Sequence, residues 1–228
     1  MPAGRRAVFH MNIFIVGDVH GCFHTFQQVL QHWQPAQELL VQTGDLIDRG
    51  NFSLECVRLA MELEASFPGR TVFLKGNHEA AMLHHYGPRG PYPPWLEWGG
   101  RSTVVQYAAH DEDLRAAHVR WLQHRPLLWE NPHLLISHAG IADTPNPLDE
   151  SHPDGILWRR GPLLNIGKRQ VVGHTPTTDG QPAFDGDTNV LNLDTGAYQG
   201  LCLTGVLLSP TGELLNEFAV PTLSIDIY

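Results

Sequence analysis

The chain has 228 residues, 42% hydrophobic and 17% charged, with 15 Lys and Arg against 24 Asp and Glu for a formal net charge of −9. That length and balance suit one globular domain with its own core and exclude wholesale disorder. No run approaches about 18 apolar residues, which excludes a helical membrane span, and the net acidity argues against a nucleic-acid backbone as partner.

Residues 1–10 place Arg5-Arg6 ahead of Ala7-Val8-Phe9, a weak hint of an export signal, but His10 and Asn12 interrupt the apolar run and no small-residue cleavage site follows. They read as a flexible leader, with Met11 an alternative start and 11–228 a single domain. Residues 13–16 are a continuous apolar run rich in β-branched side chains, the pattern of a strand buried on both faces. Thr25-Phe26-Gln27-Gln28 reads as a capping box. Phe26, Val29, Leu30 and Trp33 then recur on one helical face, closed by Pro35. Residues 39–41 predict a second strand. Leu54, Val57 and Met61 mark a second amphipathic helix, ended by Pro68-Gly69. Residues 71–74 predict a third strand, with a helix over 79–86 behind it. Strand and helix alternating in this way predict βαβ units and a largely parallel sheet.

Residues 87–100 break the pattern, because Gly87-Pro88, Gly90-Pro91, Pro93-Pro94 and Gly99-Gly100 fit no regular element. With Tyr92, Trp95 and Trp98 among them, they read as a structured surface loop walling a cleft. Residues 111–125 return to helix, with Leu114, His118, Trp121 and Leu122 on one stripe; His118 reads as a core-edge histidine rather than a ligand. Residues 133–136 and 170–172 predict strands. Three further β-rich runs, 189–193, 201–208 and 214–220, are separated by Gly or Pro turns as hairpins are.

Chemistry concentrates where these strands end. Gly17-Asp18-Val19-His20-Gly21, Gly44-Asp45-Leu46-Ile47-Asp48-Arg49-Gly50, Gly76-Asn77-His78-Glu79, Ser137-His138-Ala139-Gly140 and Gly173-His174-Thr175 each follow a predicted strand. In open α/β sheets ligands bind beyond the strand C-terminal ends. Convergence there would gather Asp18, His20, Asp45, Asn77, His138 and His174, a set of nitrogen and oxygen donors without a thiolate. The set exceeds the three or four ligands of one zinc ion, and a carboxylate such as Asp45 can bridge two. The donors suit Mn, Fe or Zn. Two ions about 3.5–4 Å apart clamp the attacking and leaving oxygens of an in-line displacement and turn a bridging water into hydroxide near neutrality. Arg49 can fork onto phosphate. His78 beside Asp48 is a proton donor with a fixed tautomer.

Taken together, these five clusters resemble the signature of the phosphoprotein phosphatase (PPP) family of metallophosphoesterases, from about residue 13 to about residue 205. Leu157-Trp158-Arg159-Arg160 and the short length look most like its bacterial and bacteriophage serine/threonine phosphatases. The resemblance implies the calcineurin-like metallophosphoesterase fold: an α/β architecture with a central β-sandwich flanked by helices and the metal site at strand C-terminal ends. It implies that Asp18, His20 and Asp45 hold a first metal, and that Asp45 bridges to a second completed by Asn77, His138 and His174. It further implies that His78, oriented by Asp48, protonates the leaving alkoxide, and that Arg49 and a second arginine hold phosphate. That second arginine is Arg160, two positions after Trp158, with Arg159 the runner-up. Two divalent cations are implied, usually Mn.

The activity expected is hydrolysis of phosphoserine and phosphothreonine in proteins, with phosphotyrosine a further substrate. The alternative is hydrolysis of symmetrical dinucleoside polyphosphates or another phosphoanhydride; a non-catalytic scaffold is the third reading. Asp48 and Glu79 favour the first, since the tetraphosphatases of the family vary at both positions. Net acidity also favours it, because a polyphosphate is repelled at long range. Trp95 and Trp98 either stack on a base or pack the loop onto the body. Asp194-Thr195-Gly196 resembles a bacterial-branch element with no role beyond a tight turn. Cys22, Cys56 and Cys202, odd in number and widely spaced, form no disulfide framework and fit a reducing, cytoplasmic setting. A redox role for Cys22 is the minor reading, a small buried residue the major one. The partners expected are a phosphoprotein or small phosphorylated substrate, with no membrane and no nucleic acid.

Overall fold

The computed structural model describes residues 11–228; the expected leader, 1–10, lies outside the described residues. β1 (Asn12–Val16) is buried from Ile13 to Val16 because it lies at the centre of a sheet, parallel to β2 (Glu38–Gln42) and antiparallel to β9 (Cys202–Leu208). β3 (Thr71–Phe73) extends this sheet beyond β2. β10 (Leu214–Pro221) closes its other edge as a hairpin with β9, giving the order β10-β9-β1-β2-β3. The second sheet runs β4 (Leu128–Glu130), β5 (Leu134–Ser137), β6 (Arg169–Val172), β8 (Val190–Asn192), β7 (Ala183–Asp185).

The largely parallel sheet read from the strand and helix alternation is thus two mixed sheets, the β-sandwich flanked by helices that the family resemblance implied. Their facing sides share one core, in which Ile13, Ile15, Leu39 and Val41 meet Leu134, Ile136, Val171 and Leu191. The alternate residues of β1, Phe14 and Val16, point to the other face and pack with Phe26, Val29, Leu54 and Val57 of the helices. A period of two over a buried strand thus serves two cores at once. The run at 189–193 does not pair with 201–208; β8 belongs to the second sheet, parallel to β6.

Five α-helices of eight or more residues follow: α1 (Phe23–Leu30), α2 (Ser53–Ser66), α3 (Asn77–His85), α4 (Arg101–Ala108) and α5 (Glu112–Gln123). The Thr25 capping box is not formed. α1 starts two residues earlier, and its free amides are satisfied from the far end of the chain: Asp226 accepts the N–H groups of His24 (3.0 Å) and Thr25 (2.8 Å) and the Thr25 hydroxyl (2.6 Å). A buried carboxylate at a helix N-terminus also complements its dipole.

Residues 87–100 are more regular than the prolines suggest. Pro93–Trp95 form a helical turn and Leu96–Gly100 a π-helical one, kinked at Gly99 (φ 120°), which runs into α4. A side chain at Gly99 would strike Arg49 Cγ, 2.5 Å away. His118 is buried in α5, where its Nδ1 and the Tyr107 hydroxyl share a hydrogen bond of 2.7 Å. Among the described residues no helix is long and apolar enough to cross a membrane.

Candidate active site

All five motif loops converge. β1, β2 and β3 deliver Asp18, His20, Asp45, Asp48, Arg49, Asn77 and His78 from one sheet; β5 and β6 deliver His138 and His174 from the other. Backbone bonds lash the loops together: His20 N donates to Asp45 O (2.8 Å), Gly173 N to His138 O (2.8 Å), and His174 N to Asp18 Oδ2 (2.9 Å). The chain is strained here. Among the described residues six non-glycine residues have positive φ, and five of them are expected site residues: His20, Asp45, Asp48, Arg49 and His174. Each such residue costs roughly 1–3 kcal/mol and persists only where its surroundings over-determine it.

Glu79 supplies part of that determination. Its Oε2 accepts the N–H groups of Asp45 and Gly76, both at 2.8 Å, and its Oε1 accepts Leu46 N at 2.9 Å. Burial, then the charge of Asp45, pushes Glu79 up to about 7.

Two overlapping triplets bring donor atoms within 4.8 Å of one another: His20, Asp45, His78 and Asp45, His138, His174. Asp45 is common to both, the position of a bridge. Each expected histidine ligand turns its outer nitrogen to a carbonyl that can only accept: His20 Nδ1 to Ile47 O (2.9 Å), His138 Nδ1 to Thr43 O (3.2 Å), His174 Nε2 to Trp158 O (3.2 Å). The inner nitrogens are then lone pairs. His138 Nε2 and His174 Nδ1 each face Asn77 Oδ1 at 2.9 Å, and each other at 3.1 Å. His20 Nε2 and His138 Nε2 both lie 3.4 Å from Asp45 Oδ2. Acceptors converging on acceptors are the donor set of a cation site, and the outer carbonyls hold the rings as second ligand layers do. Asp18 falls outside both triplets. It accepts the Thr43 hydroxyl (3.0 Å) and the His174 amide, beside the cluster.

The field separates the four histidines. Burial, then Arg49, pushes His20 well below the usual imidazole range. Burial lowers His138, and burial, then His138 and Arg160, pushes His174 down to about 2. In all three the shift favours the neutral form that a metal ligand needs. For His78 burial also opposes charge, but Asp45 and the bond to Asp48 outweigh it and raise the imidazole. Burial, then Asp194 and Asp45, raises Asp18 well above the carboxylate range. Asp45 is the opposite case. Burial disfavours its charge, yet His138, His78 and His20 hold it well below that range. Crowded buried carboxylates among buried imidazoles fit divalent cations.

His78 Nδ1 donates to Asp48 Oδ2 at 2.6 Å, which directs Nε2 inward, 3.9 Å from Asp45 Oδ2. Asp48 is further held by Trp95 Nε1 and Thr103 Oγ1, both at 2.5 Å, while Ser53 Oγ accepts its amide at 2.8 Å. Trp95 is therefore neither cleft wall nor base platform: it is buried, with its indole N–H spent on Asp48. Arg49 lies over the Tyr198 ring, 4.0 Å from its centroid, with Nη1 against His20 Nε2. Arg160 lines the reaction cavity and donates to His174 O at 3.0 Å, whereas Arg159 turns away to pair with Asp154. Cys22 is fully buried and its thiol is pushed up to about 12 by burial, so it is no redox-poised thiolate. Glu79, Thr103 and Tyr198 were not expected at the site. Glu79 stood in the quoted motif, and Tyr198 follows the Asp194-Thr195-Gly196 element; Thr103 carries no sequence signal.

The cavity over His78, Asn77 and His174 has a volume of about 280 Å³ and is roofed by Trp98 and Trp158. These rings, 5.6 Å apart, also open onto a groove of about 610 Å³ that continues past Tyr92 and His84, stacked at 4.4 Å. Arg160 likewise borders a cavity of about 310 Å³ between the 159–163 segment and the β7–β8 edge.

A family model for calcineurin-like phosphoesterases matches residues 11–201, and the chain belongs to that family. A symmetrical bis(5'-nucleosyl)-tetraphosphatase of Actinobacillus pleuropneumoniae is 36% identical over 137 residues, 58% of this chain and 46% of that protein. The match thus spans about half the length of that relative. The asymmetrical bis(5'-nucleosyl)-tetraphosphatase PrpE of Bacillus cereus is 28% identical over 229 residues, 86% of this chain and 90% of its own. In fold alone, the chain resembles a protein serine/threonine phosphatase from Saccharomyces cerevisiae, with a TM-score of 0.66, 14% identity and coverage of 96% and 82%.

Proposed function

We propose that this metallophosphoesterase hydrolyses the phosphoanhydride chain of dinucleoside polyphosphates. The observation that carries the reading is a small cavity flanked by two larger ones: it shares Trp98 and Trp158 with the aromatic groove, and Arg160 with the cavity at the β7–β8 edge. A substrate with a nucleoside at each end and phosphates between matches that layout. Trp98, 37% exposed, offers a base a stacking face worth about 1–3 kcal/mol. Both relatives described above are named tetraphosphatases, which supports the same reading. It replaces the phosphoprotein expectation in first place, and phosphoprotein hydrolysis becomes the second reading, favoured by the open, mostly apolar run of the larger groove.

Asp18, His20, Asp45, Asn77, His138 and His174 would hold two divalent cations, Mn by expectation. When bound, these supply Lewis-acid activation of water and neutralise phosphoryl charge. Arg49 and Arg160, which both line the cavity, bind the phosphoryl oxygens. His78 Nε2 gives a proton to the leaving oxygen, and Asp48 keeps Nδ1 protonated. An anhydride leaving group is a weak base, so His78 contributes less to it than to an alkyl ester.

The test is kcat/KM with Mn for a symmetrical dinucleoside tetraphosphate against a phosphothreonine peptide. A preference of tenfold or more for the dinucleotide, reduced by Trp98→Ala, is expected. The reverse preference sinks the reading.

A further inference from the structure

We propose that Asp194 is a third carboxylate of the cation site, an outlying anionic partner that strengthens binding of the ion assigned to Asp18, His20 and Asp45. The inference rests on the two-cation reading and is independent of the substrate.

Asp194 follows β8, in the sheet that also supplies His138 and His174, yet its main chain abuts the first metal loop. A Cβ added to Gly17 would lie 2.1 Å from Leu193 O, so only glycine there allows the 193–194 backbone to lie against Gly17-Asp18. The backbone is fixed on both sides, by Leu193 N donating to Val172 O (2.8 Å) and Thr177 N to Asp194 O (2.9 Å).

The side chain is 1% exposed. Oδ1 accepts Gly196 N at 3.2 Å and so closes the Asp194-Thr195-Gly196 turn. Oδ2 has no hydrogen-bond partner. Among the described residues the other buried side-chain atoms without a partner are threonine hydroxyls; Asp194 alone carries a charge. Neither nearby arginine satisfies it. Arg49 is directed to His20 and Trp98 O, and Arg160 to His174 O and Thr175.

A buried carboxylate with an orphan oxygen is costly, and the turn does not explain the cost. An asparagine would accept the Gly196 N–H equally well without the charge. What the charge is suited to is a neighbouring cation. Three carboxylates, Asp18, Asp45 and Asp194, would then share two dications, and the loop that ends β8 would join the five others in binding.

The experiment is a calorimetric titration of metal-stripped protein with Mn²⁺ alone, together with thermal melting of the stripped protein, for wild type, Asp194→Asn and Asp194→Glu. Asp194→Asn keeps the turn bond and removes the charge. Its stripped form should melt at or above the wild-type temperature, while one of the two Mn equivalents weakens about 10–100-fold, the usual cost of losing an outer-layer partner. Asp194→Glu should recover part of that loss. Wild-type affinity at both equivalents in Asp194→Asn overturns the proposal. So does a lower melting temperature with unchanged affinities, or failure of both variants to fold, since each assigns Asp194 to the framework. A wild type that binds no Mn²⁺ overturns the cation reading itself, a result distinct from the others.

Discussion

Replacing Asp48 by Asn tests whether this residue acts through His78. The carboxylate receives three side-chain donors, His78 Nδ1, Trp95 Nε1 and Thr103 Oγ1. An asparagine can present its oxygen to the first two and its amide to Thr103, whose hydroxyl rotates to accept. The shape survives while the charge is lost. A hydrogen bond to a charged group is worth about 1.5–3 kcal/mol against about 0.5–1.5 for a neutral one, a difference of about 1–1.5 kcal/mol. Applied to His78, that lowers the protonated imidazole about 5–15-fold, at tenfold per 1.36 kcal/mol. Turnover of an alkyl phosphate should fall by the same factor, and of an aryl phosphate by much less, because a good leaving group needs little protonation. The two remaining bonds weaken by about 2–3 kcal/mol together, offset by no longer burying a charge, so the melting temperature should move by under about 5 °C. The assay is steady-state kinetics on both esters in Asp48→Asn, His78→Asn and the double variant. If Asp48 works only through His78, the double variant equals His78→Asn, itself slower by about 10²–10⁴. Additive losses, or equal losses on the two esters, refute the coupling.

Arg160→Ala should weaken turnover and inhibition by inorganic phosphate with little change in melting temperature, and Arg159→Ala should leave both kinetic quantities unchanged; the reverse pattern places the phosphate arginine one residue earlier. His118 gives a stability prediction with a definite sign. Burial lowers it from 6.5 to about 4, and its Nδ1 is hydrogen-bonded to the Tyr107 hydroxyl. Between these pH values the unfolded chain takes up a proton that the folded chain refuses, so stability present above 6.5 is lost on the way down to about 4, by up to about 3 kcal/mol. Denaturant unfolding at pH 7 and pH 4.5 should show a shallower loss in His118→Gln; an identical loss removes His118 from the acid response.

Legibility in the sequence followed the range of the forces. The motif loops could be read because each packs glycine, carboxylate and imidazole into five or six consecutive residues. β1 and β2 could be read because burial on two faces leaves an unbroken apolar run. The split into two sheets came only from the family resemblance, since a buried parallel strand reads alike whichever sheet it joins. The edge strands β4 and β7, three residues each, are too short for a period. α4 was hidden because Thr103 and Tyr107 are its only buried residues, and Trp95 read as surface because nothing nearby in sequence reveals that its indole meets Asp48. The cap of α1 comes from Asp226, about two hundred residues away, beyond any local pattern.

That long-range cap orders events during synthesis. The metal-loop motifs of β1 to β3 leave the ribosome early, but the strand that flanks β1 on its other side is β9, and α1 has no carboxylate at its first amides until Asp226 emerges. A nascent chain that already displays most of its candidate cation donors therefore has an open sheet edge and an uncapped helix. The segment around Asp226 acts as a latch, so that the framework under the candidate site is complete only after β9 and Asp226 have been made.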